Sequence, residues 1–284
     1  DAAAVLPMLV EHYGEPFADS SAIPTYYVAR ETRRHVTVAL TGDGGDEAFA
    51  GYQRYAAMMA ADALCRVPGA AGALRAAARL PARNRRSHLG RLSRFAAAAS
   101  LPATDRYLRW VSAFDPAAKT SLTSAAFRAA VDQGAERAEL APWLDGVGRR
   151  GLVDAMLHAD TRTYLPTDLL AKVDIASMAV SLEARAPFLD HEVLELAARL
   201  PANLKLRRAT TKHVLKEAFA GLVPSDNLYR SKMGFGVPVG QWLRGPLSHL
   251  VNDVLLGEAL RQLAFQGVDP EVVQFAGRAS STTD

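Results

Sequence analysis

One strand running into a glycine-rich turn constrains this chain more than any other feature. His35-Val36-Thr37-Val38-Ala39-Leu40 is β-branched or apolar at nearly every position, the pattern of a strand covered on both faces in a parallel sheet. It breaks at Thr41-Gly42-Asp43-Gly44-Gly45-Asp46, and a long helix is expected to follow, with Phe49, Tyr52, Ala56, Met59 and Ala63 at three- and four-residue spacing. Upstream, a helix over Ala2–Tyr13 stops at Gly14, and a second, capped by Ser20 or Ser21, runs to Arg33-Arg34. The rest reads as helices near 70–80, 85–99, 103–114, 120–134, 149–164, 167–181, 191–199, 210–221 and 239–263, ending in a frayed tail. A lone strand makes no sheet, and parallel strands need neighbours. The expectation is therefore an α/β fold with a parallel sheet, mostly helical in this chain because its sheet partners lie upstream. A soft boundary near residue 66 separates an α/β part, 1–66, from a helical remainder, 67–284. The opening residues, Asp-Ala-Ala-Ala, already read as helix with neither Met nor a basic leader, which suggests a boundary imposed within a longer protein.

Composition then excludes classes. With 49% hydrophobic and 22% charged residues, 284 residues describe an ordinary globular chain of one large or two small domains. No apolar run of about 18 residues marks a membrane span. Cys65 is the only cysteine, which rules out an internal disulfide and a thiolate cluster; it reads as a buried structural thiol. The seven histidines form no HExxH pair, so zinc chemistry is not expected. Net charge is only +3, but seven arginines and no acid fall between Arg75 and Arg94. That cluster has no aromatic residue for stacking and reads as a solvated helix face or partner surface, not a nucleic-acid site.

The turn carries the chemistry. Glycines at 42, 44 and 45 let a ligand approach the main chain, and the next helix aims its first amides at the turn, which favours anions. The sequence is neither GxGxxG nor a Walker loop. It carries Asp43, Asp46 and Glu47, which would repel phosphate unless Mg²⁺ stood between them. The segment alone is equally a glycine-rich turn in which Asp46 caps the helix. Downstream, Asp168 and Lys172 stand at i, i+4, as in a solvent-exposed helix pair. Glu183 and Arg185, in a stretch alternating charged with apolar residues, read as buttresses of the fold. Lys212 and Lys216 share one flank of a helix containing Val214, Leu215, Ala218 and Phe219.

Taken in order, these segments resemble one family. Glu15-Pro-Phe-Ala-Asp-Ser-Ser21, Leu40-Thr-Gly-Asp-Gly-Gly-Asp-Glu-Ala-Phe-Ala-Gly-Tyr52, Ser181-Leu-Glu-Ala-Arg-Ala-Pro-Phe-Leu-Asp190, Lys212-His-Val-Leu-Lys216 and Arg230-Ser-Lys-Met-Gly-Phe-Gly-Val-Pro238 with Trp242 are similar to blocks of the glutamine-dependent asparagine synthetases, over about residues 8–248. The resemblance implies an ATP-pyrophosphatase-like parallel-sheet domain that works with an N-terminal glutaminase domain. It implies adenylation of the aspartate side chain by Mg-ATP, then attack by glutamine-derived ammonia. On that pattern Asp46 would hold Mg²⁺ bound to pyrophosphate, and Lys212 would stabilise the phosphoryl transition state. Thr41, Gly42, Gly44 and Gly45 would line the ATP site through their backbone, and Asp43 would serve intermediate formation and the arriving amine. The resemblance also implies a cytoplasmic protein whose partners are aspartate, ATP and that ammonia, with no nucleic acid and no membrane; a homodimer stays open.

Two departures qualify the pattern. Asp43 stands where many members have Glu, which loosens aspartate specificity. The Ser-Gly-Gly-x-Asp-Ser pyrophosphate loop and the glutaminase's N-terminal Cys are missing, and Cys65 in mid-chain cannot replace the latter. Both are expected upstream of Asp1, so this chain by itself is expected to be inactive. Two competing readings remain: a relative that amidates or cyclises another carboxylate, of an envelope polymer or a β-lactam precursor, and a degenerate binding module. Asp46 and Lys212 standing together in one chain weigh against the second.

Overall fold

The computed structural model describes residues 2–79, 88–112, 114, 116–131, 134–145, 151–230 and 236–255. In chain order come α1 (Ala2–Tyr13), α2 (Ala22–Arg33), β1 (Val38–Leu40), α3 (Gly45–Ala48), α4 (Gln53–Cys65), α5 (Ala70–Ala78), α6 (His88–Ala99) and α7 (Ala103–Val111). Then follow α8 (Pro116–Leu122), α9 (Ala125–Ala130), α10 (Ala135–Leu144), α11 (Gly151–Arg162), a π-helical turn over Leu165–Leu170, α12 (Ala171–Met178), β2 (Glu183–Arg185), α13 (His191–Arg199), α14 (Ala202–Lys205), α15 (His213–Ala218), α16 (Ser225–Leu228), α17 (Val239–Arg244) and α18 (Ser248–Leu250). The expected α/β character holds in a coarse form, a mostly helical chain with one small parallel sheet.

That sheet corrects the expectation that β1 finds its partners only outside the sequence. Val38, Ala39 and Leu40 pair in parallel with Glu183, Ala184 and Arg185, and Arg185 O accepts the Thr41 N–H at 2.7 Å. Three residues give alternation no room to register, and Glu, Ala and Arg are weak strand formers. The double-sided cover expected of β1 is also not found among the described residues, since Leu40 is 75% exposed.

The single long helix expected after Asp46 is two helices. α3 is one turn, and a bend over Phe49–Tyr52, with Ala50 at φ 57°, resets the phase before α4. The buried stripe of α4 is consequently Tyr55, Met58 and Ala61, and Met59 is exposed. The helix expected over 120–134 is likewise broken, into α8 and α9 with Ser124 capping the latter. Cys65 is exposed, its thiol 3.1 Å from Ala99 O, in place of the expected buried thiol. Arg75, Arg79, Arg91 and Arg94 are exposed on α5 and α6, while Arg83, Arg85 and Arg86 lie outside the described residues, as does the tail.

The chain divides into two compact units: Asp1–Pro24, Ser112–Glu136 and Phe235–Asp284 form one, and Thr25–Val111 with Arg137–Gly234 the other. Residue 66 falls inside the second, directly after α4. In the first unit, Tyr13 stacks on Phe17 at 4.4 Å, and Phe17 and Trp242 line one apolar cavity of about 230 Å³. Two blocks far apart in sequence thus share one cavity; residues 231–235 of the last block lie outside the described residues. In the second unit, α4, α7, α10 and α11 bury Tyr55, Met58, Tyr107, Leu144 and Met156. A smaller cluster, Phe49 and Ala48 with Phe188, Ala197, Val214 and Leu215, seats α3 against α13 and α15. No described helix is long and apolar enough to cross a membrane.

Candidate active site

Both strands end, at their carboxyl termini, on the same cavity, the usual place for a ligand in a parallel sheet. It measures about 730 Å³ and is lined by Leu40, Thr41 and Asp43 from the β1 side and by Ala184, Arg185 and Asp190 from the β2 side, with Asp174 from α12. Asp43, half-buried, contributes to that lining. Thr41 contributes too, and its Oγ1 is buried without a hydrogen-bond partner among the described residues. Gly42 stands beside open space. Arg185 Nε donates to Glu183 Oε1 at 2.7 Å, an exposed pair beside the cavity.

The turn that follows β1 needs its glycine at position 44. Gly44 has φ 82°, and a Cβ there would stand 2.0 Å from the Leu189 side chain. Gly44 is also the residue that precedes the first turn of α3, so the reading of Asp46 as helix cap is overturned. Asp46 is the second helical residue, and its Oδ1 lies 2.8 Å from Lys212 Nζ. The pair is partly open, with side chains 21% and 31% exposed. Two residues 166 positions apart in sequence, both singled out as chemical, therefore meet. Lys212 takes a left-handed backbone, φ 51° and ψ 36°, where α15 begins. A non-glycine residue held there is strained and persists only where its surroundings dictate it, which is common at functional sites. A Cβ on Gly51 would stand 1.7 Å from Asp46 Oδ1 and 2.4 Å from Lys212 Cε, so this glycine makes room for the pair. Lys216 shares the helix but turns to the Tyr229 ring, 5.3 Å away.

Behind the pair lies a polar cluster that takes Glu47 away from the ligand-facing acids with which the sequence reading grouped it, and whose Arg54 and Asp160 that reading did not single out. Glu47, 1% exposed, accepts a hydrogen bond from the Tyr52 hydroxyl at 2.5 Å. Burial pushes the Glu47 carboxyl above the usual carboxylate range, and the Tyr52 bond only partly offsets this. Burial and the Glu47 carboxyl likewise hold the Tyr52 hydroxyl protonated well beyond neutral pH. Arg54 lies 3.8 Å from the Tyr52 ring centroid and 4.9 Å from that of Tyr164, and its guanidinium donates to Asp160 at 2.8 Å. Burial works against the Arg54 charge, and the Asp160 carboxylate together with Tyr107 and Tyr55 outweighs it. Asp160, fully buried, also accepts from the Tyr55 and Tyr107 hydroxyls. The available signal was an acid directly after the mostly apolar stretch Ala155-Met156-Leu157-His158-Ala159 and an Arg set between Tyr52 and Tyr55. A fourth charge, Lys172, is 8% exposed at the start of α12, against the solvent-exposed pair expected with Asp168.

Comparison with known proteins is consistent across most of the chain. The asparagine synthase family profile matches residues 1–281. The glutamine-hydrolyzing asparagine synthetase 1 of Bacillus subtilis is 34% identical over 252 residues, 88% of this chain and 38% of that protein. A Mycobacterium tuberculosis protein named for the same activity is 37% identical over 259 residues, 85% of this chain and 36% of its own length. The amidase chry2 of Gibberella zeae is 30% identical over 122 residues, 40% of this chain and 18% of that enzyme. No solved structure matches. The chain thus spans little more than a third of the length of the first two relatives.

Proposed function

The chain belongs to the asparagine synthase family, and from that premise we propose that it carries the synthetase chemistry of a glutamine-hydrolysing asparagine synthetase. An aspartate side-chain carboxylate attacks the α-phosphorus of ATP, and pyrophosphate leaves. Ammonia released from glutamine by a glutaminase domain then displaces AMP and loses a proton, giving asparagine. The observation that carries this reading is the Asp46–Lys212 pair at 2.8 Å, beside a glycine turn at the carboxyl end of a parallel strand pair.

The residues suit those demands. Negative charge grows on phosphoryl oxygens as the carboxylate attacks, and a fixed ammonium gains most at that moment, which is the role of Lys212. A compact, rotatable –NH₃⁺ can follow oxygens that move. Thr41 lines the cavity with a buried hydroxyl in need of a partner. Of the three glycines, Gly42 stands beside open space and could bring its backbone to a ligand, while Gly44 and Gly45 are buried against Leu189 and Phe188 and serve the shape of the turn. Asp43, on the same cavity, faces the carboxylate and the arriving amine. Among the described residues no group of three or more His, Cys, Asp or Glu side chains could hold a metal ion. Magnesium that arrives on a nucleotide needs only one or two carboxylates, its other ligands being phosphate and water. Asp46, with Asp43 nearby in sequence, fits that demand, and a bound Mg²⁺ would neutralise charge on the leaving pyrophosphate. The parallel strand pair supports an ATP-pyrophosphatase-like sheet, completed by strands elsewhere in the protein.

Asp43 in place of Glu favours one competing reading, a different carboxylate acceptor. Exchange of labelled pyrophosphate into ATP, measured on the intact protein against a panel of carboxylic acids, separates the two. Exchange that depends on aspartate supports the asparagine reading. Exchange with another acid alone supports the competitor, and exchange with none removes the synthetase assignment.

A further inference from the structure

The Asp46–Lys212 pair stands on a helix too short to orient itself. α3 has four residues, and no side chain caps it. Asp46 and Glu47 are consecutive, so their side chains leave the helix about 100° apart, one toward Lys212 and the other into the buried slot behind it. What holds Glu47 in that slot therefore sets the rotation of α3, and with it the place where Asp46 presents its carboxylate.

Tyr52 holds it. Its hydroxyl donates to Glu47 Oε1 at 2.5 Å, and it stands directly before α4, where the chain has just completed the bend from α3. The bend is tight: the Gly51 N–H donates to Asp46 O at 2.8 Å, and Ala50, fully buried, is left-handed at φ 57°. Tyr52 is in turn fixed by its ring. Arg54 packs 3.8 Å from its centroid, and the rings of Tyr55 and Tyr164 stand edge-on at 5.7 and 6.0 Å. Arg54 is held in turn by the buried Asp160 carboxylate on α11, to which it donates. A rigid chain of contacts thus runs from the core through Asp160, Arg54, Tyr52 and Glu47 to the turn that carries Asp46.

We propose that Tyr52 is a positioning residue, which through Glu47 and the 46–52 bend fixes Asp46 against Lys212 for catalysis. The catalytic half of this statement rests on the synthetase reading above; the geometric half does not. Loss of the hydroxyl would leave Glu47 without that partner in a buried slot, so the carboxylate would turn out toward water and take α3 with it. A small misplacement of a group that positions the reactants is costly to rate.

The test measures acylation of the Lys212 amine by acetic anhydride in the intact protein, read by mass spectrometry against Lys216 as internal reference. Asp46→Ala should raise Lys212 labelling severalfold, since the amine loses its acid. Tyr52→Phe should raise it toward the same level, with kcat for pyrophosphate exchange reduced on the order of tenfold. Tyr55→Phe removes another buried hydroxyl from the same core while Asp160 keeps Arg54 and Tyr107, so it should destabilise without altering Lys212 labelling. Labelling in Tyr52→Phe that matches the wild type overturns the proposal, as does an equal rise in Tyr55→Phe. Failure of Asp46→Ala to raise labelling removes the pair, and the brace with it. Labelling as expected with no exchange activity in the wild type leaves the brace standing and rejects the synthetase reading instead.

Discussion

Two acid–base pairs in this molecule have the same length and opposite surroundings. Arg54 and Asp160 meet at 2.8 Å, and so do Lys212 and Asp46. Asp160 is sealed among α4, α7 and α11, and two tyrosine hydroxyls join Arg54 in satisfying its oxygens. The Lys212–Asp46 pair stands half-open on a strained backbone, in a bend with a glycine where any side chain would collide. A pair whose acid is fully buried and bonded on both oxygens is part of the fold and can do little else. An open pair is available for exchange: a phosphate can take the ammonium, and a cation the carboxylate. Identical distances therefore say nothing about role; enclosure does.

The largest expected effect tests the sealed pair. Asp160→Asn leaves the Arg54 charge buried and uncompensated, which typically costs about 3–5 kcal/mol of folding stability. Asp46→Asn, at a partly exposed pair, should cost no more than about 1 kcal/mol. Urea unfolding of both variants checks the difference. Equal losses would place the Lys212 pair in the fold's foundations and erase the contrast.

The next effect tests the open pair in the opposite currency. Lys212→Met in the intact protein should reduce kcat by about 10²–10³, the scale for removal of a preorganised electrostatic donor. Apparent ATP binding and the melting temperature should change little, and Lys212→Arg should recover part of the rate, since a planar guanidinium fits differently. A large stability loss with an unchanged rate would exchange the roles assigned to the two pairs.

The sequence announced these two regions unequally. The open site was legible through the ordered resemblance of its short blocks, Thr41–Asp46 and Lys212–Lys216 among them; the turn alone read equally as a glycine-rich cap, and the lysine alone carried no signal. What could not be read was that Asp46 and Lys212 touch, since that contact depends on where α15 begins relative to α3, a tertiary fact. The sealed cluster was silent for a different reason. Tyr55 and Tyr107 look like core aromatics, and Asp160 takes its meaning only from hydroxyls on helices about fifty and a hundred positions away. Secondary structure failed where local signals were short or interrupted: β2 has three residues, and the left-handed Ala50 breaks a helical period that runs through it in sequence. Where a helix had both a cap and an amphipathic face, as in His191–Arg199 with Asp190 accepting the Glu192 N–H, its limits could be read from sequence alone.

The smallest effect sharpens the comparison at β1, the element that brings the open site its turn. Leu40 is 75% exposed, and Val36 and Val38 are exposed beside it, in a segment whose composition is that of a strand covered on both faces. Within the 284-residue chain, Leu40→Thr introduces a β-branched residue, which suits a strand, and removes apolar surface that already meets water. Its cost to unfolding should be under about 0.5 kcal/mol, with less binding of an apolar dye and less self-association on size-exclusion chromatography. In the intact protein the same substitution should behave differently under an ATP-pyrophosphatase-like sheet, because further strands and helices would bury Leu40 there. Replacing a buried leucine by a shorter polar residue removes most of its burial free energy, about 1.5–3 kcal/mol. The quantity that decides is the difference between the two costs, measured by the same denaturant titration on both proteins. A difference above about 1 kcal/mol would show that β1 is an interior strand of a larger sheet and that its exposure belongs to this span of the chain. Equal, small costs would mean that the two-stranded sheet is complete, and that the site's glycine turn rests on a strand open to solvent in the intact protein as well.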